Sequence, residues 1–357
     1  MIDQNSYSEA VADELGLASS AYAEDVTAEV SLTSSAYGED VDEAINNRPV
    51  GDYDLRVLQY NIGHFNMGRA AAPTGNNPNT NNVLINSNKS DGYPNSVDRN
   101  YAIQLQRWKD CINGVGADII GIEEYNKYFG WNGGSVVELA DTGIFLGYDI
   151  SVGRMGLSLV NGGEVTHGWQ WNALASKYAI YASGDEELGS TGNNVAKCYA
   201  RYATVDIKGR QVIIASTHLN WAQNNDAVTS RALEIQHLIN WLKDYPYVIL
   251  MGDFNVDGAY KSNKTDQDYL DGAAQGFDPF IDAGFTLANH GRWGDLKTAF
   301  ATGSRPDQTK SYPYTYIDNI IVKGFAMSNV QVIDDGRLTD HCAVYCDLTL
   351  IEEGGTS

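Results

Sequence analysis

The sequence predicts an α/β fold over residues 50–351, and three observations lead to this prediction. Short apolar runs with the length of buried strands recur along this part of the chain. Between them, residues 101–112 and 231–243 repeat apolar side chains at helical spacing, which predicts amphipathic helices. Most of the apolar runs also carry polar residues at one end, where α/β folds gather their ligand groups. The predicted strands cover residues 55–60, 118–122, 212–215, 247–251, 317–322 and 342–350.

Two long stretches of this region lack a strand or helix pattern. Residues 68–100 are rich in Asn, Gly and Pro and predict a long loop. Residues 130–170 are rich in Gly and Trp and have no clear periodicity. Because loops of this length in a compact domain commonly carry function, we expect substrate specificity to reside there.

Residues 1–48 form an acidic segment that contains a repeat. The octapeptide SSAYAEDV at 19–26 recurs as SSAYGEDV at 34–41, and Tyr7, Tyr22 and Tyr37 are fifteen residues apart. Residues 1–54 hold thirteen acidic residues and one basic residue, which is −12 of the total charge of −22. Tandem repeats favour a stalk or an assembly element, whereas the composition equally suits an acidic linker. Residues 352–357 are expected to be a tail.

Composition excludes several classes of protein. The acidic surface offers no counterion-release platform for tight nonspecific duplex binding. The sequence contains no run of eighteen apolar residues, so we expect no transmembrane segment. The first residues lack the basic and apolar regions of a signal peptide, and both secretion and attachment to a particle stay open. The four cysteines form no Cys-x-x-Cys and are predicted to be mainly buried thiols.

The most informative motif is Gly252-Asp253-Phe254-Asn255, which follows the apolar run 247–251. A buried strand here ends in a carboxylate and an amide. Near the C-terminus, Thr339-Asp340-His341 precedes another apolar stretch. Carboxylate, amide and imidazole groups together suit the activation of water and the binding of a phosphate or a hard metal ion. The two motifs therefore indicate a hydrolase.

Other predicted strands carry polar residues of the same kinds. One polar residue after a strand is ordinary strand termination, but a whole series with catalytic side chains is not explained in that way. We therefore expect these residues to converge with the two motifs on one cleft. They are Asn61, Glu123, Glu124, His218, Asn220 and Asp318.

The ordered motifs resemble those of the endonuclease/exonuclease/phosphatase superfamily, whose fold is like that of deoxyribonuclease I. The resemblance spans about residues 54–351, and in this chain Glu123 stands where the family often has Gln and Ala179 where it usually has Pro. It implies a four-layer sandwich of two packed mixed β-sheets flanked by helices. The matching segments are LRVLQYN at 55–61, IGIEE at 120–124, ASKYAI at 175–180, THL at 217–219, GDFN at 252–255, IDNI at 317–320 and TDH at 339–341.

The resemblance also implies a metal site. Asn61 and Glu124 would hold Mg²⁺, with Mn²⁺ as an alternative, since magnesium prefers oxygen ligands and few protein carboxylates. Asp340 would join them as a metal ligand or support His341. Glu123 is expected to be a solvated or supporting neighbour of Glu124. His64, three residues after Asn61, is a candidate for substrate binding.

The remaining motif residues would carry the reaction. Asp318 would accept a hydrogen bond from the second ring N–H of His341 and so fix the tautomer of the imidazole. Either Asp253 or His341 would activate water, and Asn255 would orient the phosphate or the water. His218 would contact the scissile phosphate or act as a general acid. Asn220 is a further candidate for substrate binding.

The function expected from this resemblance is divalent-metal-dependent hydrolysis of a phosphate ester. A deoxyribonuclease-like nuclease that cleaves a phosphodiester in nucleic acid is the first choice. A phospholipid phosphodiesterase of the sphingomyelinase type is the alternative, because Thr217-His218-Leu219 also resembles that branch. A non-catalytic binding protein on the same fold is the rival from another class.

Overall fold

The computed structural model describes the greater part of the unit Asp52–Ser357. The repeat segment 1–48, the predicted loop 68–100 and the predicted tail 352–357 lie outside the described residues, as do His64 and Asp340. The described residues are 53–63, 101–125, 128–132, 135–154, 156–160, 163–165, 171–189, 197–220, 225–256, 265–288, 298–300, 314–333, 338–339 and 341–351.

Strands dominate the described part of the chain, and three α-helices interrupt them. The helices are α1 (Tyr101–Val115), α2 (Asn225–Leu242) and α3 (Asp266–Asp282). The strands are β1 (Leu55–Asn61), β2 (Ile119–Tyr125), β3 (Tyr128–Asn132), β4 (Ser135–Glu138), β5 (Asp149–Arg154), β6 (Gly156–Val160), β7 (Gly163–Val165), β8 (Trp171–Ser176), β9 (Ile180–Gly189), β10 (Lys197–Ile207), β11 (Arg210–His218), β12 (Val248–Asp253), β13 (Thr286–Leu287), β14 (Ala299–Phe300), β15 (Tyr314–Thr315), β16 (Asp318–Lys323), β17 (Phe325–Ile333) and β18 (Ala343–Leu350).

These strands form two large mixed sheets. The first has six strands in the order β17-β18-β1-β2-β8-β5, and the second has eight in the order β13-β16-β12-β11-β10-β6-β7, with β9 also paired to β10. Each sheet contains one parallel pair, β1 with β2 and β11 with β12. Because parallel strands need a crossover, α1 and α2 connect these two pairs.

The two sheets pack face to face and the helices cover their outer faces. Leu55 and Val57 of the six-stranded sheet share one core cluster with Ile214 and Ile249 of the eight-stranded sheet. On the other face of the six-stranded sheet, a second cluster includes Trp108 of α1. A third cluster joins α2 and α3 to the outer face of the eight-stranded sheet. The predicted four-layer sandwich is therefore confirmed.

Two glycines let the strands approach closely near the ends of the motifs. A Cβ on Gly252 would lie 2.3 Å from the carbonyl oxygen of Thr217 in the neighbouring strand. A Cβ on Gly121 would lie 2.5 Å from the Cβ of Met251 in the facing sheet. Both distances are shorter than any van der Waals contact, so a glycine is required at each position.

The structure adds elements that the sequence pattern did not reveal. Strands β3 to β7 lie within or overlap residues 130–170, for which no element was predicted, and α3 was not predicted either. Cys198, Cys342 and Cys346 are buried thiols that form no disulfide, and Cys111 is half-buried. None of the helices in the described part of the chain has the length and hydropathy needed to cross a membrane.

Candidate active site

The predicted catalytic residues meet at one end of the sandwich because of strand direction and register. His218 and Asp253 end the parallel strands β11 and β12, where they are paired in register. Asp318 begins β16, which runs antiparallel to β12, so Asp318 stands opposite Asp253. In the facing sheet, Asn61 ends β1 opposite Glu123 of β2.

The alternation of side chains along each strand turns these residues toward the space between the sheets. Ile249 of β12 contributes to the inter-sheet core, and Asp253 lies four residues later on the same face. The same alternation relates Ile214 to His218 in β11 and Val57 to Asn61 in β1. Each strand therefore contributes apolar residues to the inter-sheet core and then a polar residue at the end of that core.

The carboxylate of Asp253 is the centre of the cluster. Its Oδ2 accepts a hydrogen bond from Nδ2 of Asn61 at 3.1 Å. The same oxygen lies 3.4 Å from Nε2 of His218 and 3.6 Å from Nε2 of His341. Two imidazoles and one amide thus surround a single carboxylate oxygen whose residue is only 1% exposed.

Burial changes the acidity of this carboxylate. It raises the pKa of Asp253 to about 6, and the negative charge of Asp318 adds to that effect. The two histidines and the Asn61 hydrogen bond oppose the increase. A carboxylate with a pKa near neutrality is well matched to the task of a general base at physiological pH.

His341 and Asp318 form a buried imidazole–carboxylate pair. Nδ1 of His341 lies 2.9 Å from Oδ2 and 3.1 Å from Oδ1 of Asp318. An Nδ1–H donated to this carboxylate leaves Nε2 directed toward Asp253. Asp253, Asp318 and His341 also place ligand atoms within 4.8 Å of one another. The 2.9 Å separation between Nδ1 of His341 and Asp318 is that of a hydrogen bond, and the three side chains are also close enough to hold a metal ion.

The Asn61 amide joins the carboxylate of Glu124 to that of Asp253 beside this pair. Nδ2 of Asn61 donates to Oε1 of Glu124 at 3.4 Å as well as to Asp253. Glu124 has a φ of 53°, in the left-handed region, at an irregularity in the pairing of β2 with β8. Such a backbone costs free energy for a non-glycine residue and is concentrated at functional sites. The two carboxylates that meet at the Asn61 amide nitrogen supply hard oxygen donors, the ligand type that fits a divalent cation.

Asn255 is hydrogen-bonded to the cluster through its backbone and to the segment after β11 through its side chain. Its backbone N–H donates to Oδ1 of Asp253 at 3.1 Å, and its Nδ2 donates to the carbonyl of Leu219 at 3.0 Å. Its φ of 49° is again left-handed, a conformation that Asn tolerates. Asn255 thereby fixes one oxygen of Asp253 and ties the end of β12 to the segment after β11.

Asn220 is anchored from helix α2. Its backbone N–H donates to Oε2 of Glu234 at 3.3 Å, and its carbonyl accepts from Nη1 of Arg231 at 2.7 Å. Oγ of Ser230 donates to the other oxygen of Glu234 at 3.2 Å. Burial raises the pKa of Glu234 to about 7. The helix therefore fixes the segment that follows His218.

A second layer of buried polar residues lies beneath the cluster, and the sequence did not predict its role. Nε2 of Gln59 donates to Asp318 Oδ1 at 3.0 Å and to Glu123 Oε2 at 2.8 Å. Oγ of Ser216 lies 2.9 Å from the other oxygen of Glu123. Glu123 is fully buried, so its expected solvated placement is wrong and the supporting placement holds. Burial, followed by the charge of Asp318, raises its pKa to about 8.

One sequence signal could have identified this layer. Gln59 and Ser216 are polar residues inside strands with a buried apolar core face, and each lies two residues before a motif residue on the same face. Because of this alternation, both side chains face the core between the sheets. Buried polar groups require hydrogen-bond partners, so a polar layer could have been predicted there.

The structure thus places seven predicted site residues in one connected group. His64 and Asp340 lie outside the described residues, and Asn220 adjoins the group through the backbone of Leu219. The connected residues are Asn61, Glu124, His218, Asp253, Asn255, Asp318 and His341.

No protein-family model and no curated protein matches the sequence. Solved structures are similar at the level of the fold. An endonuclease/exonuclease/phosphatase from Beutenbergia cavernae DSM 12333 aligns over 84% of this chain and 72% of its own, with 18% identity and a TM-score of 0.56. A family protein from Leptotrichia buccalis C-1013-b covers 83% and 100%, with 14% identity and a TM-score of 0.52. One from Bacteroides vulgatus covers 83% and 99%, with 16% identity and a TM-score of 0.51.

Proposed function

We propose, from the premise that this chain has the deoxyribonuclease I-like fold of the endonuclease/exonuclease/phosphatase proteins, that it is a divalent-metal-dependent phosphodiesterase. A fold alone does not fix a reaction. The observation that carries the proposal is the convergence of His218 and His341 on the buried carboxylate of Asp253. Such a group can take a proton from water and give one to a leaving oxygen.

The proposed proton transfers follow from the hydrogen bonds. Asp318 holds the Nδ1–H of His341, so Nε2 of His341 is the nitrogen that faces the reacting groups. Asp253, with a pKa of about 6, is mostly ionised at neutral pH and is the general base for the attacking water. Asn255 and Asn61 restrain this carboxylate through separate oxygens.

His218 is proposed to act on the phosphate or the leaving oxygen. Its Nε2 lies near the same oxygen of Asp253 as Nε2 of His341, so both imidazoles border one reaction space. The position at the end of β11 is fixed by pairing with Asp253 and by the anchored segment after it. An imidazole held in this way can donate a hydrogen bond to a phosphoryl oxygen.

Asn61 and Glu124 are proposed to hold a magnesium ion, with Asp340 as a third ligand and Mn²⁺ as an alternative metal. When bound, the metal polarises a phosphoryl oxygen and stabilises the charge that develops on it. The strained Glu124 backbone directs this carboxylate toward the Asn61 amide. Asn61 itself is oriented by accepting a hydrogen bond from the backbone N–H of Gly63 at 3.0 Å.

The charge around the cluster favours a diester over a monoester. The largest electrostatic influences on Asp253 come from His218, Asp318 and His341, and none of these is a Lys or an Arg. A phosphomonoester brings more negative charge, which enzymes usually bind with Arg or Lys. A phosphodiester in nucleic acid is therefore the proposed substrate class, and His64 and Asn220 are proposed to contact it.

The direct test compares substrates under matched conditions. Plasmid DNA, RNA, sphingomyelin vesicles and a soluble phosphomonoester are each incubated with the full chain, in magnesium or in chelator. We expect magnesium-dependent cleavage of nucleic acid, with a doubly substituted Asp253→Ala/His341→Ala protein as the inactive control. Cleavage of sphingomyelin alone would establish the lipid alternative. Binding of nucleic acid without turnover would establish the binding protein.

A further inference from the structure

We propose that Gln59 is a positioning residue that holds Asp318 in the orientation needed by His341; this inference rests on the proposed function. Gln59 lies in β1, two residues before Asn61, and is fully buried. Nothing in its amide is suited to proton transfer. Its effect on the reaction must therefore be exerted through a neighbouring group, and that neighbour is Asp318.

The geometry of the Gln59 amide accounts for this role. Its two N–H groups reach two carboxyl groups, Oδ1 of Asp318 at 3.0 Å and Oε2 of Glu123 at 2.8 Å. The same Asp318 carboxylate accepts from Nδ1 of His341. Glu123 is in turn fixed by Ser216. A chain of contacts thus runs from the imidazole through Asp318 and Gln59 to a buried carboxyl group.

The position of Gln59 in the fold explains why this restraint matters. Asp318 belongs to the eight-stranded sheet, whereas Gln59 belongs to the six-stranded sheet. His341 lies two residues before β18, which pairs with β1. The hydrogen bond from Gln59 to Asp318 therefore joins the two sheets at the site. It fixes the distance on which the His341–Asp318 pair depends.

The amide also has a cost that apolar packing would avoid. Oε1 of Gln59 has no hydrogen-bond partner among the described residues, although it is buried. A buried polar atom without a partner lowers stability, and an apolar side chain of this size would not incur that loss. A role in positioning, rather than in packing, is consistent with the presence of Gln at this place.

A double-mutant cycle tests the proposal through turnover. Gln59→Met keeps the length of the side chain and removes both donors. We expect it to lower kcat by about ten- to a hundredfold with an unchanged KM, because a hydrogen bond to a charged group is lost. In an Asp318→Ala background the same substitution should have no further effect. Ser176→Ala, which removes a buried hydroxyl at the far end of β8, should leave kcat unchanged.

A second measurement does not depend on activity. The Nδ1–H proton of His341 should give a slowly exchanging, downfield ¹H NMR signal in the full chain, and Asp318→Ala should abolish it. We expect Gln59→Met to shift or broaden this signal and Ser176→Ala to leave it unchanged. If the wild-type chain hydrolyses none of the substrates, the proposed function fails while this comparison still decides the role of Gln59.

Two results would overturn the positioning role. One is an additive cycle, in which Gln59→Met lowers kcat equally with and without Asp318. The other is a His341 signal that is identical in wild type and Gln59→Met. If Gln59→Met fails to fold, Gln59→Asn replaces it, since the shorter amide retains donors but withdraws them from Asp318. An unchanged signal in Gln59→Asn would then reject the proposal.

Discussion

At the scale of single residues, Asp253 links most of the proposed machinery. Its two oxygens have different partners: Oδ1 accepts from the Asn255 backbone, whereas Oδ2 faces Asn61 and both imidazoles. A carboxylate fixed on one side can present its other oxygen to water without rotating. Its raised pKa then reflects burial that the surrounding donors only partly offset.

Removal of either proton-transfer group should greatly reduce turnover without unfolding the chain. We expect Asp253→Ala and His341→Ala each to lower kcat/KM by about 10²- to 10⁴-fold, the range of general acid–base catalysis. His237→Ala is the matched control, because His237 is a half-buried histidine of α2 that pairs with Glu186 and not with any of the described site residues. The rates are measured on plasmid DNA with circular dichroism as the check of folding. Near-normal turnover in His341→Ala would exclude the proposed role of the imidazole.

Glu124 should set the magnesium requirement. Glu124→Gln replaces an ionised ligand with a neutral amide, so we expect half-maximal activity at a higher magnesium concentration while the maximal rate is partly recovered. Glu138→Gln removes an exposed carboxylate and is the control. Magnesium titrations of initial rates provide the measurement. Wild-type activity of Glu124→Gln at low magnesium would mean that Glu124 is not a ligand.

At the scale of elements, the close contact of β11 with β12 sets the position of His218 relative to Asp253. Gly252 directly precedes Asp253 and lies against the backbone of Thr217, which directly precedes His218. Helix α2 then fixes the chain beyond His218 through Arg231 and Glu234. Strand contact and helix anchoring therefore hold the same imidazole from its two sides.

A methyl group at Gly252 should separate these strands. Gly252→Ala places a Cβ at 2.3 Å from a backbone oxygen, so we expect a loss of about 1–3 kcal/mol in the free energy of unfolding. Gly114→Ala is the opposite control: it lies in α1 with nothing within 4 Å of the added Cβ. That change should stabilise the chain by about 0.5–1 kcal/mol. Urea unfolding compares the two, and equal stability of Gly252→Ala and wild type would contradict the close approach.

Glu234 should make stability depend on pH. Its folded pKa of about 7 exceeds the ordinary value of 4.5, so the folded chain keeps a proton that the unfolded chain releases between these values. The free energy of unfolding should therefore fall as pH rises from about 4.5 to 7, by up to about 3 kcal/mol from this group.

Glu234→Gln tests this contribution because the amide does not titrate. Urea unfolding at pH 5 and pH 7.5 should show a smaller difference for Glu234→Gln than for the wild type. Asp244→Asn removes an exposed carboxylate and should keep the wild-type difference. If the free energy of unfolding depends on pH equally in the wild type and in Glu234→Gln, groups other than Glu234 cause that dependence.

At the scale of the whole molecule, the site exists only because two sheets pack against each other. Asn61 and Glu124 come from the six-stranded sheet, whereas His218, Asp253 and Asp318 come from the eight-stranded sheet. The inter-sheet core ends at these residues, and the hydrogen bond from Asn61 to Asp253 crosses between the layers. The proposed metal ligands Asn61 and Glu124 and the proposed general base Asp253 are thus supplied by different sheets.

The acidic repeat should be separable from catalysis. All the site residues follow residue 54, and the repeat with its fifteen-residue spacing lies within residues 1–48. We propose that this segment serves attachment or assembly. Deletion of residues 1–48 should leave hydrolysis of a small soluble substrate unchanged while altering the oligomeric state, measured by light scattering. Loss of hydrolysis after this deletion would show instead that the catalytic region requires the segment.

The sequence alone determined the fold class, the fold family resembled and the order of the candidate residues. Apolar runs that end in Asp253 and Asn61 carry this information locally, because strand period and strand termination depend on neighbouring residues. The helix at 101–112 could be predicted for the same reason, because its apolar spacing is a local pattern. The elements within 130–170 were not, since the short strands there lack an apolar run long enough to be recognised without their partners.

Only the tertiary structure decided which residues touch. The contact of Gln59 with Asp318 spans 259 positions, and that of Asn61 with Asp253 spans 192, so no local pattern encodes either one. Burial of Glu123 likewise depended on the facing sheet rather than on its neighbours in sequence. Hydrogen-bond partners and pKa shifts depend on distance and on exclusion of water, and the packing of the two sheets sets both.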